Sequence, residues 1–238
     1  MAESACTVNA LAIITARGGS RRIPRKNIRD FFGKPIIGYP VAVAIASGCF
    51  EEVMVSTDDT EIAGVARSLG ATVPFMRSAK TSDDFATTAD VVKEVLEEYS
   101  RRGREFEAAC CIYPTTPLMA AERLQEGMRI LAADRAIESV VPVLRFGYPI
   151  QRALKIENSR LAMISPEYMN SRSQDLQPAY HDAGQWYWLR IDAFLRTGKL
   201  FGAVCAAVVL DEAEAQDIDN EEDWRLAEMK YRLRKETR

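Results

Sequence analysis

The feature that most constrains this chain is an alternation of two sequence patterns. Short, near-continuous apolar runs are separated by longer stretches with helical spacing. The runs are residues 10–15 (ALAIIT), 53–57 (VMVST), 71–75 (ATVPF), 108–113 (AACCIY), 139–143 (SVVPV) and 203–210 (AVCAAVVL). Strands that are apolar on both faces need cover on both faces, the condition met by a parallel sheet between helical layers. The stretches between them supply that cover. They are residues 35–48, ending on Gly48; 59–70, ending on Gly70; 87–103, opening on Thr87 or Thr88 and ending on Gly103; and 124–135. A hydroxyl residue before the first turn and a glycine after the last are common helix ends. The repetition predicts a doubly wound, Rossmann-like α/β fold with a mostly parallel sheet.

The alternation fails between about Leu144 and Asp182, where the chain is richer in Pro, Tyr, Arg and Asn. Residues 153–164 (ALKIENSRLAMI) read as a hairpin turning at 157–159. Such an excursion from an α/β core serves as a substrate lid, an oligomer arm or a plain loop. Residues 221–238 read as an amphipathic helix with acidic residues first and basic residues last, matching its dipole. There is no internal repeat. The expected organisation is one domain over residues 1–238, with 144–182 inserted in it.

Composition excludes several function classes. With 238 residues the chain can bury a core without metal or disulfide staples. Thirty-one Lys and Arg against 34 Asp and Glu leave a net charge of −3, which argues against coating nucleic acid or anionic membrane. The five cysteines are odd in number and show no C-x-x-C spacing, as expected of reduced thiols packed as small hydrophobes. The N-terminus is acidic where a signal peptide would be basic, and no apolar run approaches about 18 residues. A cytoplasmic protein, neither exported nor membrane-spanning, is the expectation. A single histidine, His181, leaves at most one place for Ser-His-Asp, Cys-His or His-ligated zinc chemistry.

Five segments carry candidate chemistry. Residues 14–37 (ITARGGSRRIPRKNIRDFFGKPII) follow the first strand, where open α/β sheets bind ligands. Gly18 and Gly19 permit a tight turn with exposed N–H groups, and Arg17, Arg21, Arg22, Arg25, Lys26 and Arg29 concentrate positive charge. A polyphosphate fits these donors, with a solvated basic loop or an RNA contact as the alternatives. Neither a Walker A ending nor a Gly-x-Gly-x-x-Gly fingerprint occurs there. In residues 76–91, Arg77 and Lys80 precede Asp83, Asp84, Thr87 and Thr88. That helix start could hold a ribose or base edge, or be an ordinary capped helix. The turn Pro114–Thr115–Thr116–Pro117 could position a ligand or simply end a strand. Asp217 and Asp219 alternate across Ile218, so an extended backbone turns both carboxylates to one side, as Mg²⁺ requires. The neighbouring Asp219 or Asn220 could also cap a helix. Residues 170–190 gather Arg172, Gln174, Asp175, Tyr180, His181, Asp182 and Gln185 beside Trp186 to Trp188. This polar set suits a hydroxyl- and carboxylate-bearing molecule, although a lone histidine is more often structural.

With these residues in hand, the chain resembles the CMP-nonulosonate synthetases, or acylneuraminate cytidylyltransferases. ARGGSRRIPRKN is similar to their opening Ala-Arg-x-Gly-Ser-Lys-x-x-x-x-Lys-Asn. RSAKTSDDFATT, YPTTPL, DAGQWY and DIDNEED follow in the family's order, so the resemblance spans about residues 10–225. Within the family, SRSQDL…YHDAGQWYW most resembles the branch acting on pseudaminic acid. The resemblance implies a nucleotide-diphospho-sugar transferase type of fold. It implies Arg17, Arg21 and Lys26 as catalytic cations on the triphosphate of CTP. Ala16, Gly18, Ser20, Asn27, Arg77, Ala86 and Thr88 would complete the nucleotide site. Asp217 and Asp219 would hold Mg²⁺, with Mn²⁺ as a substitute. Arg172, Gln174, Asp175, Tyr180, His181 and Gln185 would contact the nonulosonic acid. A homodimer is implied too, residues 144–182 being an arm that reaches the partner's site, and the product would feed surface polysaccharide or flagellin glycosylation. Two positions depart from the pattern: Arg21 replaces a usual Lys, and Tyr113 stands where sialic acid enzymes often have Gln.

The implied reaction is attack of an anomeric C2 hydroxyl on the α-phosphorus of CTP with loss of pyrophosphate. Cytidylyltransferases for sialic, legionaminic or 3-deoxy-octulosonic acid are rivals within the class. A non-catalytic nucleotide-binding regulator is the rival outside it, although pure sensing has no need of the Asp217–Asp219 pair and Lys26.

Overall fold

A computed structural model describes residues 8–20, 22–83 and 85–236. In chain order the elements are β1 (Ala10–Thr15), β2 (Asp30–Phe31), β3 (Lys34–Pro35), α1 (Gly38–Ser47), β4 (Glu52–Ser56), α2 (Thr60–Ser68), α3 (Thr88–Arg101), β5 (Ala108–Ile112) and α4 (Ala121–Ala133). They continue with β6 (Ser139–Arg145), β7 (Leu154–Glu157), β8 (Arg160–Met163), β9 (Tyr180–Asp182), β10 (Trp186–Arg190), α5 (Ile191–Thr197), β11 (Cys205–Leu210) and α6 (Glu221–Glu236). The main sheet runs β11-β6-β10-β5-β1-β4, and β9 also pairs with β6. Strands β4, β1 and β5 are parallel, as are β6 and β11. Strand β10 is antiparallel to both of its neighbours.

The expected doubly wound architecture follows from the alternation in β1. Ala10, Ala12 and Ile14 face one layer, which holds Val41 and Ala44 of α1, Ile62 and Ala66 of α2 and Leu124 and Leu131 of α4. Leu11 and Ile13 face the other, with Val92, Val95 and Tyr99 of α3 and Phe194 of α5. The glycine stops hold as well: Gly48, Gly70 and Gly103 take φ values of 64°, 93° and 73°. Two readings change. Residues 71–75 form no strand; only Thr72 bridges to Met54, and Pro74 can donate no ladder hydrogen bond. A strand at Trp186–Arg190 was not anticipated, because its short aromatic run follows a polar stretch.

That unanticipated strand is the centre of the sheet. Trp186 and Trp188 are fully buried, and the Trp188 ring stacks on Phe50 at 4.9 Å while its indole N–H donates to the Leu124 carbonyl. Gly127 of α4 makes room for both rings: a Cβ there would lie 2.7 Å from Trp188 and 2.9 Å from Trp186.

Strand β6 pairs with β11 along one edge and, along the other, first with β10 and then with β9. Pro142 sits at the break between those two ladders. Its carbonyl accepts from the Ala183 N–H at 3.0 Å. In an extended strand the N–H and C=O of one residue point the same way, so the missing donor also faces the turn at 183–185. The ladder opens there, and Gly184 (φ 62°) redirects the chain into β10. Beyond the Arg145–Tyr180 pair, residues 146–179 leave the sheet and carry the expected hairpin, β7 with β8. Its turn is the two residues Asn158 and Ser159, at φ 50° and 60°, as the twist of a tight hairpin demands. Among the described residues no helix is long and apolar enough to cross a membrane.

Gly127→Val should destabilise the protein by about 1–3 kcal/mol, the ordinary cost of overpacking a closed core. Urea unfolding measures it, and unchanged stability would mean that α4 lies farther from β10.

Candidate functional site

The path from β1 to β4 and then back past β1 to β5 makes a topological switch point between β1 and β5. Open α/β sheets bind ligands at the carboxyl end of such a point. A cleft of about 590 Å³ lies there, lined by Thr15 at the end of β1 and by Tyr113, Pro114 and Thr115 beyond β5. Three distant segments complete it: Arg17, Ser20, Arg22, Lys26 and Asn27; Arg77, Ala86 and Thr88; and Asp217 with Asp219.

The first loop is shaped by residues that do not all face the cleft. Ala16 is buried, and its N–H donates to the Ser56 carbonyl. At Gly18 a Cβ would lie 2.8 Å from Asp59 Oδ2, so only glycine allows the loop to approach the start of α2, where its N–H donates to Asp58 Oδ1. Asn27 is buried and donates to the Arg17 carbonyl at 2.8 Å, pinning the loop from inside. The basic cluster divides by role. Arg17, Arg22 and Lys26 line the cleft. Arg25, in the left-handed region at φ 55°, pairs with Asp59 and Glu61, and Arg29 pairs with Glu221 and lies over the Trp224 ring. Arg21 lies outside the described residues.

Arg77 reaches the cleft from beneath. It is buried, donates to the hydroxyl and carbonyl of Ser56, and burial lowers its pKa. Thr87 is the N-cap of α3, in a reciprocal capping box with Asp90. Capping by Thr87 leaves Thr88 on the cleft wall, its hydroxyl 3.5 Å from that of Tyr113.

Opposite the basic loop, Ile218 is fully buried beside Trp224 of α6, so the flanking Asp217 and Asp219 both turn into the cleft. Capping of α6 falls to Asn220, whose Oδ1 accepts from the N–H groups of Glu222 and Asp223. Lys26 Nζ donates to the Ile218 carbonyl at 2.5 Å and lies 3.8 Å from Asp219, which also pairs with Arg22 at 2.8 Å. Burial lowers the Lys26 pKa, against the pull of Asp219 and Asp217. Burial, and next the charge of Asp219, raise the pKa of Asp217. A dication would relieve that repulsion. Among the described residues no group of three or more His, Cys, Asp or Glu could hold a metal alone. Two carboxylates on one wall are a donor set that suits a hard cation taking its remaining oxygens from water and phosphate.

The remaining candidates lie elsewhere. Arg172, Gln174 and Asp175 sit exposed on or beside one short turn of the arm, and Tyr180 and His181 are exposed on β9. None of these five lines the cleft. The His181 ring packs on Phe146 at 4.9 Å. Gln185 is buried, and its amide donates to the Glu214 carbonyl at 2.6 Å. Two residues outside the candidate set belong with the site. Arg22 is on the cleft wall and holds Asp219, and Tyr113 joins Thr88 to the β10 side through an edge contact with Tyr187 at 5.5 Å. Tyr113 was visible as a departure from the family pattern; Arg22 was one cation among six.

A carboxyl whose pKa is raised on folding is penalised when ionised. The penalty is complete above the raised value and gone by the ordinary carboxylate pKa. Asp217→Asn should therefore melt higher than the wild type at pH 7 without divalent cation. The gap should close as the pH falls through the raised pKa. Thermal melts across pH measure this, and a lower-melting variant at pH 7 would show that the carboxylate stabilises the fold.

A family model described as cytidylyltransferase matches residues 11–159, well over half of the chain. The chain is 39% identical over 228 residues to a pseudaminic acid cytidylyltransferase of Campylobacter jejuni, covering 95% of this chain and 98% of that protein. It is 29% identical over 235 residues to the CMP-N,N'-diacetyllegionaminic acid synthase of Legionella pneumophila, with 95% and 97% covered. The fold is similar to that of a CMP:2-keto-3-deoxy-manno-octonic acid synthetase solved with CTP. The TM-score is 0.69 at 17% identity, covering 96% of this chain and 99% of that one. A cleft at the switch point, walled by a basic loop and two carboxylates, thus sits in a chain that belongs to the cytidylyltransferase family.

Proposed function

We propose that the protein transfers CMP from CTP to the anomeric C2 hydroxyl of a nonulosonic acid, pseudaminic acid in the first place, and releases pyrophosphate. The observation that carries this reading is the meeting of Arg17, Arg22 and Lys26 with Asp217 and Asp219 in one cleft. A nucleoside triphosphate and a dication together match both charge signs. The 39% identity to a pseudaminic acid cytidylyltransferase over nearly the full length of both chains supports the choice of acid.

In the reaction the hydroxyl oxygen bonds to the α-phosphorus as the bond to the bridging oxygen of pyrophosphate breaks. Arg17 and Lys26, joined by Arg21, offset charge growing on the leaving group. Ala16, Gly18, Ser20 and Asn27 hold the loop's backbone toward the phosphates. Arg77, Ala86 and Thr88, which line the cleft, would lie around the cytidine. Asp217 and Asp219 would hold Mg²⁺ or Mn²⁺, which when bound polarises phosphoryl oxygens and neutralises charge.

Arg172, Gln174 and Asp175 would meet the sugar acid from the arm of a second copy, with Tyr180 and His181 on β9 at the arm's base. The arm's exposure of Tyr148, Ile156, Leu161 and Met169 supports a homodimer, since such a concentration of bare apolar side chains favours burial against a partner. Gln185 would act on the sugar only through the segment it holds. A cytoplasmic enzyme supplying glycan or flagellin modification is consistent with these substrates.

The deciding experiment is pyrophosphate release with CTP and Mg²⁺ against pseudaminic, sialic, legionaminic and 3-deoxy-octulosonic acids. Turnover should favour pseudaminic acid. Preference for another acid would keep the reaction and change the sugar, and CTP binding with no turnover would favour the regulator. Lys26→Ala and Asp219→Ala should each lower kcat by about 10²-fold or more, the loss typical of one transition-state donor. Near-wild-type turnover in both would sink the site. Ile156 and Leu161 face each other across the arm hairpin. Charging both, as Ile156→Glu with Leu161→Glu, should turn a dimer into a monomer by sedimentation velocity.

A further inference from the structure

The turn joining β9 to β10 touches the carboxylate segment at two points. A methyl group built on Gly184 would come into ordinary van der Waals contact with Asp217, 3.6 Å from its Cγ, so the turn passes close beside that side chain with room for no more than such a group between them. One residue later the Gln185 amide holds the Glu214 carbonyl at 2.6 Å. Glu214 is itself gripped through both carboxylate oxygens by Arg123, at 2.9 and 3.3 Å. The segment leading into Asp217 is thereby fixed from one side by the turn and from the other by α4.

What fixes the turn is Asp182. Its Oδ1 accepts from the Gly184 N–H at 2.9 Å and its Oδ2 from the Tyr187 hydroxyl at 2.6 Å. The first bond closes an Asx-type loop over the left-handed Gly184, and the second ties that loop to a strand at the sheet's centre. Tyr187 is buried and meets Tyr113, which lines the cleft. Pro142 has no N–H to extend the β6 ladder, so backbone bonds hold the turn only at its ends, the Ala183 N–H to the Pro142 carbonyl at 3.0 Å and the Tyr113 N–H to the Gln185 carbonyl at 2.8 Å. The Asp182 carboxylate holds Gly184 between them.

We infer that Asp182 and Tyr187 are positioning residues for the metal-binding carboxylate Asp217, acting through the Gly184 turn. The inference rests on the reading of Asp217 and Asp219 as a divalent-cation site. Without the Asp182 clamp the turn relaxes away from Asp217, the pair loses its fixed spacing, and the cation is held less tightly. Partners that orient a metal ligand from behind typically change metal affinity by about 10–100-fold when removed.

The test measures metal binding on the full chain, not turnover. Water-proton relaxation would follow Mn²⁺ binding in the presence of CTP, with CTP binding in EDTA measured separately by calorimetry. Asp182→Ala should weaken Mn²⁺ by about 10-fold and leave CTP binding in EDTA unchanged. Asp182→Asn, whose Oδ1 still accepts from Gly184, should recover most of that loss. Tyr187→Phe keeps the ring packed and removes only the hydroxyl. It should weaken Mn²⁺ in the same direction, and combined with Asp182→Ala it should add nothing, because both act through one contact. It also serves if Asp182→Ala fails to fold. Equal Mn²⁺ affinity in the wild type and in Asp182→Ala, or in Tyr187→Phe when that variant alone folds, overturns the inference and leaves the metal site standing. Wild-type protein that binds CTP in EDTA yet takes up no Mn²⁺ overturns the metal site, and the inference with it.

Discussion

The cleft depends on the bond from Lys26 Nζ to the Ile218 carbonyl, which joins the first loop of the chain to the last, 192 residues away. Two ion pairs reinforce it, Arg22 with Asp219 and Arg29 with Glu221. Both are substantially exposed, and such pairs are worth only about 0–1 kcal/mol each. The fixed part of the geometry is apolar: Ile218 is fully buried in a cluster with Phe31, Ile36 and Trp224. A hydrophobic anchor therefore sets where the two loops meet, and the charges on either side face each other across a distance that packing has chosen. Asp219 meets Arg22 and Lys26 before any ligand arrives, whereas Asp217 is held beside it at a cost that burial and the Asp219 charge impose.

The second dependency runs through the reversed strand. Only an antiparallel β10 can bring the turn before it to the carboxyl ends of β1 and β5, since a parallel strand would start at the opposite end. The buried indoles of Trp186 and Trp188 hold that strand in place, and Gly127 is the concession α4 makes to them. A core packing choice on one face of the sheet consequently decides what stands beside Asp217 at its rim.

Much of this was legible in the sequence, for identifiable reasons. Continuous apolar runs announce a covered sheet, and Gly48, Gly70 and Gly103 stop helices because few other residues accept their backbone angles. The placement of Asp217 and Asp219 followed from period-two alternation across an apolar residue, a local rule. What escaped was set by contacts distant along the chain. The β10 strand is too short and too aromatic to show a period, and residues 71–75 had strand-like composition but Pro74 among them. The division of labour within the basic loop was invisible because Arg25, Lys26 and Arg29 are told apart only by which distant carboxylate each meets, Asp59 and Glu61, Asp219, and Glu221. The role of Gln185 depended likewise on a carbonyl at Glu214.

The excursion leaves and rejoins the sheet at adjacent points. Arg145 and Tyr180 are paired across β6 and β9, and Phe146 N–H meets the Ala179 carbonyl just outside them. Residues 147–178, beyond that gate, can therefore lengthen, shorten or change sequence without altering a single register in the core. Such an arrangement behaves as an exchangeable cassette. The arm can drift in evolution, or be transplanted by grafting between relatives, while the sheet that frames the cleft is inherited intact.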